Sequence, residues 1–167
     1  MAALERLDDS FDVIQYGQLD YAPDHYPLFA VVNRDWNPAL PTALITGGVH
    51  GYETSGVHGA LQFLEQQAER YLGRLNLIVA PCVSPWGYER IQRWNPDAID
   101  PNRSFRDGGQ IEEAAALMAW VAERNRTCWC TWTCTRPPTA TCTSSIRRAA
   151  PATASRSNAT PFRTAST

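Results

Sequence analysis

All 17 Asp and Glu residues lie in the first 126 positions, beside 10 Arg, whereas residues 127–167 hold 5 Arg, 11 Thr, four of the five Cys and no acid. The second stretch has almost no aliphatic side chains and no helical or strand periodicity. A segment of that kind buries too little apolar surface to offset the entropy lost on ordering. The chain therefore divides near residue 126, with a folded portion over 1–126 and an irregular Thr/Arg/Cys-rich tail over 127–167. All 15 basic residues are Arg and none is Lys, a hint of GC-rich coding DNA.

The tail can be partly back-translated, because Trp has one codon and the Cys and Thr codons begin TG and AC. Moving the frame by two nucleotides across residues 128–135 turns the Trp129–Cys130 junction into Val and the Trp132–Thr133 junction into Asp. One permitted reading is Leu-Val-His-Leu-Asp-Leu-His, an apolar alternating run that ends on a His. The tail is thus expected to be an out-of-frame translation of a strand that carried a His-bearing motif.

At 44% hydrophobic and 19% charged over 167 residues, the chain has the composition of one ordinary globular domain. No apolar run approaches the roughly 20 residues that cross a bilayer, so no membrane partner is expected. A net charge of −2 argues against a nucleic-acid partner. The N-terminal stretch MAALERLDDS lacks the basic-then-apolar order of a secretory signal, which points to a cytoplasmic location.

Within 1–126, residues 11–16 and 28–33 read as short strands, the second bounded by Pro27 and the turn cluster Asp35-Trp36-Asn37-Pro38. Residues 42–46 (TALIT) and 75–80 (LNLIVA) are continuous apolar runs of the kind buried on both faces of a parallel sheet. Between them, Val57, Ala60, Leu61, Leu64, Ala68 and Leu72 recur at three- and four-residue spacing, predicting a helix over 55–72 that stops at Gly73. A second helix is predicted over 111–124, with Glu112 and Glu113 in the first turn, where the helix dipole favours acids. This order implies a βαβ-type α/β fold with a mainly parallel sheet. Such an architecture expects a further strand after the last helix.

Two constellations carry chemistry. His50 and Glu53 form an H-x-x-E pair inside Thr46-Gly47-Gly48-Val49-His50-Gly51-Tyr52-Glu53, between a buried strand and a helix. The glycines let the backbone turn tightly at the C-terminal strand edge, where open α/β sheets bind ligands. Imidazole nitrogen and carboxylate oxygen suit Zn²⁺. In the alternative, His50 caps the helix start and Glu53 is a solvated first-turn acid. The second constellation is Asp100-Pro101-Asn102-Arg103-Ser104-Phe105, reached through a loop over 81–96. Arg90, Arg93, Arg103 and Arg106 form a cationic cluster suited to an anionic substrate end or an oxyanion. In the alternative, they are surface arginines paired with Asp97, Asp100 and Asp107. His58 reads as a helix-surface or helix–sheet contact residue, His25 as a solvated or hydrogen-bonded loop residue and Cys82 as a buried core thiol. Cys128, Cys130, Cys134 and Cys142 lack the spacing of paired zinc knuckles.

Together these residues resemble the zinc carboxypeptidase family, including relatives of the succinylglutamate desuccinylase and aspartoacylase type. The matching motifs are His50-Gly51-Tyr52-Glu53, Ser84-Pro85-Trp86-Gly87-Tyr88 and Asp100-Pro101-Asn102-Arg103-Ser104-Phe105, covering roughly residues 42–125. The resemblance implies an incomplete three-layer α/β sandwich with a mixed, mainly parallel sheet. It implies His50 and Glu53 as zinc ligands, Asn102 and Arg103 as holders of a substrate carboxylate, and Arg93, rather than Arg90, as the residue that polarises the scissile carbonyl. The expected substrate is a peptide with a free C-terminus, or alternatively an N-acyl amino acid. The family's third ligand, a His in an Asp-Leu-His context, and its general-base Glu come from further toward the C-terminus. No acid follows Glu123, and in the shifted frame that His falls on the codons of Cys134 and Thr135. The resemblance therefore implies impaired hydrolysis, or a non-catalytic fragment.

Overall fold

The computed structural model describes residues 9–106, 111–124 and the backbone of 129–133. The chain opens with a long antiparallel hairpin, β1 (Phe11–Tyr21) and β2 (Asp24–Asn33), whose register runs from Phe11 opposite Asn33 to Tyr21 opposite Asp24. The two strands predicted over 11–16 and 28–33 are thus the base of a longer ribbon. Next come β3 (Thr42–Thr46), helix α1 (Thr54–Gln66), a 3₁₀ turn over Ala68–Tyr71 and strand β4 (Asn76–Ala80). Helix α2 (Pro85–Arg90) and a 3₁₀ turn over Pro101–Ser104 precede helix α3 (Glu112–Arg124) and strand β5 (Trp129–Thr133). The helix predicted over 55–72 breaks at Gln67 into the 3₁₀ turn, and the loop predicted over 81–96 contains α2.

The sheet order is β1-β2-β4-β3-β5. The hairpin pairs antiparallel with β4, while β4–β3 and β3–β5 are parallel. Every residue of β4 is buried, as expected for a strand covered on both faces. Its side chains alternate between two cores. Leu77 and Val79 join Val31, Ala60 and Leu64 on the α1 side, whereas Ile78 and Ala80 join Val32, Leu117 and Val121 on the α3 side. The period-2 geometry of a strand thus builds the three layers, helix, sheet and helix.

Residues 129–133 lie in the stretch expected to be irregular, yet they pair with β3 from Thr42 opposite Trp129 to Thr46 opposite Thr133. Trp, Cys and Thr are residues that fit a pleated strand, and β3 offers a free row of backbone donors and acceptors on that side. The remainder of the Thr/Arg/Cys-rich tail, with Cys134 and Cys142, lies outside the described residues, as does Cys128. Among the described residues, no helix is long and apolar enough to cross a membrane.

Candidate metal centre and its anion-binding arm

The site sits where β3 ends and the chain turns through Gly47–Tyr52 into α1. Gly48 adopts φ +56°, the left-handed region that costs other residues strain. A Cβ on Gly51 would lie 1.8 Å from the carbonyl carbon of Gly87, so the hinge can press against α2 only with glycine there. Backbone bonds zip the hinge to the segment after β4: Val83 N donates to Gly47 O at 3.0 Å and Ser84 N to Gly48 O at 2.9 Å.

This hinge carries His50 inward, leaving it 5% exposed. Its Nε2 lies 2.8 Å from Asp100 Oδ1. Burial alone would raise the pKa of Asp100, but the bond from His50, the Asn102 amide at 3.0 Å and the nearby Arg93 guanidinium together hold it below the ordinary carboxylate value. A carboxylate only accepts, so Nε2 carries a proton, and in the neutral ring this leaves Nδ1 to present its lone pair. That Nδ1 is buried and has no hydrogen-bond partner, and it lies 3.5 Å from Glu53 Oε1. Glu53 occupies the N-cap position of α1 without making a side-chain cap bond. The reading of Glu53 as a solvated acid and His50 as a helix cap therefore does not describe this site. An orphaned imidazole lone pair beside an uncommitted carboxylate fits a divalent cation, with Asp100 behind the ring fixing its tautomer. Among the described residues no group of three His, Cys, Asp or Glu side chains is arranged to hold an ion.

Asp100 also joins this inner arm to an outer one. Its Oδ2 lies 3.4 Å from Arg93 Nη2 and 3.7 Å from Arg103 Nε. Arg93 additionally donates through Nη1 to the Tyr52 hydroxyl at 2.9 Å. Arg103 is an exposed side chain, and Asn102, also exposed, donates its amide to Asp100. Arg90 points elsewhere, pairing with Asp24 of the hairpin at 2.9 Å and with Glu89. Arg106 is exposed. The expected four-arginine cluster is thus, at Asp100, a pair.

The path to Arg93 is strained. Ile91, at the C-terminal end of α2, has φ +56° and is largely exposed, a conformation unfavourable for a β-branched residue. Gln92 then closes the turn by donating to Gly87 O at 2.8 Å. Asp100 is set by a second turn, in which Asn95 Oδ1 accepts from the amides of Asp97 and Ile99. Asp100 itself caps the 3₁₀ turn that begins with Pro101. The sequence reading missed Asp100 as the partner of His50. The one available signal was an Asp placed before Pro in a turn, and nothing in it identifies a partner fifty residues away.

Of the other candidates, His58 is exposed on α1, and His25 forms an exposed pair with Asp20 at 2.6 Å. Cys82 is half-buried rather than fully interior, and burial pushes its thiol up to about 12.

Comparison with known proteins places the fold. Residues 22–127 match the family model described as zinc carboxypeptidase, and the chain belongs to that family. Among solved structures, a protein of Shewanella amazonensis SB2B assigned as a metallopeptidase shares 26% identity and a TM-score of 0.61, over 79% of this chain and 52% of that one. A succinylglutamate desuccinylase from Silicibacter sp. TM1040 shares the fold at 20% identity and a TM-score of 0.55, over 75% of this chain and 40% of that one. An aspartoacylase family protein from Mesorhizobium loti shares it at 23% identity and a TM-score of 0.54, with the same coverage of 75% and 40%. The chain therefore spans about half or less of the length of these neighbours. Among curated proteins none matches it.

Proposed function

We propose that the chain carries the metal- and carboxylate-binding half of a zinc-dependent hydrolase that removes C-terminal residues from peptides. The observation that carries this reading is the buried His50 ring, bonded to Asp100 through Nε2 and presenting an unpartnered Nδ1 toward Glu53. His50 and Glu53 would hold Zn²⁺, which when bound polarises a carbonyl and makes water a stronger acid. Asp100 keeps the imidazole in the tautomer that binds metal. Arg93 is placed to stabilise an oxyanion, and Asn102 and Arg103 lie at the open end, where a free carboxylate can be met by the guanidinium fork.

The fold shared with a desuccinylase and an aspartoacylase family protein supports a second reading, deacylation of N-acyl amino acids. The same outer arm serves both, because both substrate classes end in a carboxylate. Two ligands and no general base are assigned among the described residues. We therefore expect zinc to be held weakly and hydrolysis to be slow or absent, and we read the tail as out of frame and the protein as cytoplasmic.

Elemental analysis of protein equilibrated with zinc tests the reading. Substoichiometric zinc, lost in His50→Ala, is expected. Zinc content unchanged by that substitution would remove His50 from the site. Measurable peptide or N-acyl amino acid hydrolysis that disappears in Glu53→Gln would overturn the expectation of impairment.

A further inference from the structure

We propose that Tyr52 is a positioning residue whose phenol oxygen holds the Arg93 guanidinium back from a close pair with Asp100, keeping more of its charge available at the mouth of the site. Tyr52 lies between the two candidate ligands, in a hinge where Val49, His50 and Gly51 are all buried, yet its own side chain is 40% exposed. Its ring adds little to the core. Its contacts are instead with the site: the Arg93 guanidinium carbon lies 6.0 Å from the ring centroid, and the His50 ring 6.3 Å away.

Arg93 is held unequally by its two partners. The bond to Tyr52 Oη is 2.9 Å, within ordinary hydrogen-bond range, whereas Asp100 Oδ2 is 3.4 Å away. Tyr52 also donates its backbone N–H to Gln92 O at 3.1 Å, so the hinge grips both the neighbour of Arg93 and its side chain. Without the phenol, attraction would draw the guanidinium into a close pair with Asp100, the geometry that arginine and carboxylate favour. That collapse would have two costs. The charge on Arg93 would be more closely compensated, and the guanidinium would compete harder for a carboxylate already accepting from His50 at 2.8 Å and from the Asn102 amide at 3.0 Å. A neutral phenol satisfies one N–H without adding a counter-charge and leaves the Asp100 contact at its longer 3.4 Å. The geometric half of this assignment stands on the contacts alone, while its use in substrate binding rests on the hydrolase reading.

Crystal structures of the wild type and Tyr52→Phe test the geometry, since phenylalanine keeps the ring and removes only the oxygen. The Arg93–Asp100 separation is expected to close to about 2.8 Å in the variant, and a guanidinium that stays in place would overturn the proposal. Calorimetric titration of zinc-equilibrated protein with N-acetylglycine tests the consequence. Tyr52→Phe should weaken binding about 3- to 10-fold with Arg93 present and leave it unchanged in the Arg93→Ala background. Equal weakening in both backgrounds would overturn positioning through Arg93. If Arg93 swings in the variant but the wild type binds no N-acetylglycine, positioning is supported and the hydrolase reading is what fails.

Discussion

His50 and Arg103 both reach Asp100, but from opposite environments. His50 is 5% exposed and approaches to 2.8 Å, whereas the Arg103 side chain is 86% exposed and stands at 3.7 Å. The inner arm is fixed before any ligand arrives, because the hinge, α2 and the turn at Asp100 leave the imidazole one orientation. The outer arm is held loosely, and an exposed ion pair of that length contributes little to stability. Such a division suits the proposed site, with a preset inner ligand and an outer arm that meets a carboxylate transiently. A metal ligand gains from a rigid ring, while a group that must release product gains from a solvated one.

The largest expected effect comes from breaking the inner arm at its hinge. Gly51→Ala forces a Cβ into the Gly87 backbone and should destabilise the fold by about 3 kcal/mol or more, read from the urea midpoint. A variant of wild-type stability would show that the hinge is not rigid. Next, Asp100→Asn removes the acceptor that fixes the His50 tautomer. It should weaken zinc binding about 10- to 100-fold in a competition titration. Wild-type affinity would mean that the ring is oriented by packing alone.

A third test contrasts Asp100, a half-buried acid with cationic neighbours, with Glu113, an acid whose pKa no cation among the described residues lowers. Glu113 is 0% exposed on α3, and neither of its oxygens has a hydrogen-bond partner of good geometry among the described residues. Burial pushes its pKa above the ordinary 4.5, although its own helix amide and the Tyr21 hydroxyl pull the other way. An acid whose folded pKa is raised binds its proton more tightly when folded. Its contribution is therefore most favourable below the unfolded value of 4.5 and is lost as pH climbs from there through the raised value. Glu113→Gln should thus match the wild type near pH 4 and exceed its stability by about 1 kcal/mol at pH 7.5. Parallel pH–stability curves would show that Glu113 is solvated. The smallest effect is expected at Arg103→Ala, which should shift stability by less than about 0.5 kcal/mol. A larger shift, measured by the same denaturant series, would erase the distinction between the arms.

Much of the architecture was legible because it depends on local pattern. The apolar runs over 42–46 and 75–80 became the parallel pair β3 and β4, and the 3.6-residue spacing of Val57, Ala60 and Leu64 became the buried face of α1. The H-x-x-E spacing brought His50 and Glu53 to one hinge, since three residues of glycine-rich turn leave them little else to face. What failed was non-local. Arg90 and Arg93 are three apart and chemically identical, yet one turns to Asp24 and the other to Asp100 because the chain reverses at Ile91. Composition alone assigned 129–133 to an irregular tail, whereas the open edge of β3 drew those residues into the sheet.

The sequence by itself determined which residues could do chemistry and which segments could be helix or strand, because residue type, spacing and periodicity act within a few positions along the chain. Only the tertiary structure decided that Asp100 stands behind His50, that Tyr52 holds Arg93 and that Glu113 is sealed in the interior. Those pairings depend on where two turns and two helices come to rest against one sheet, and contacts between residues forty to fifty positions apart leave no periodic trace in the chain.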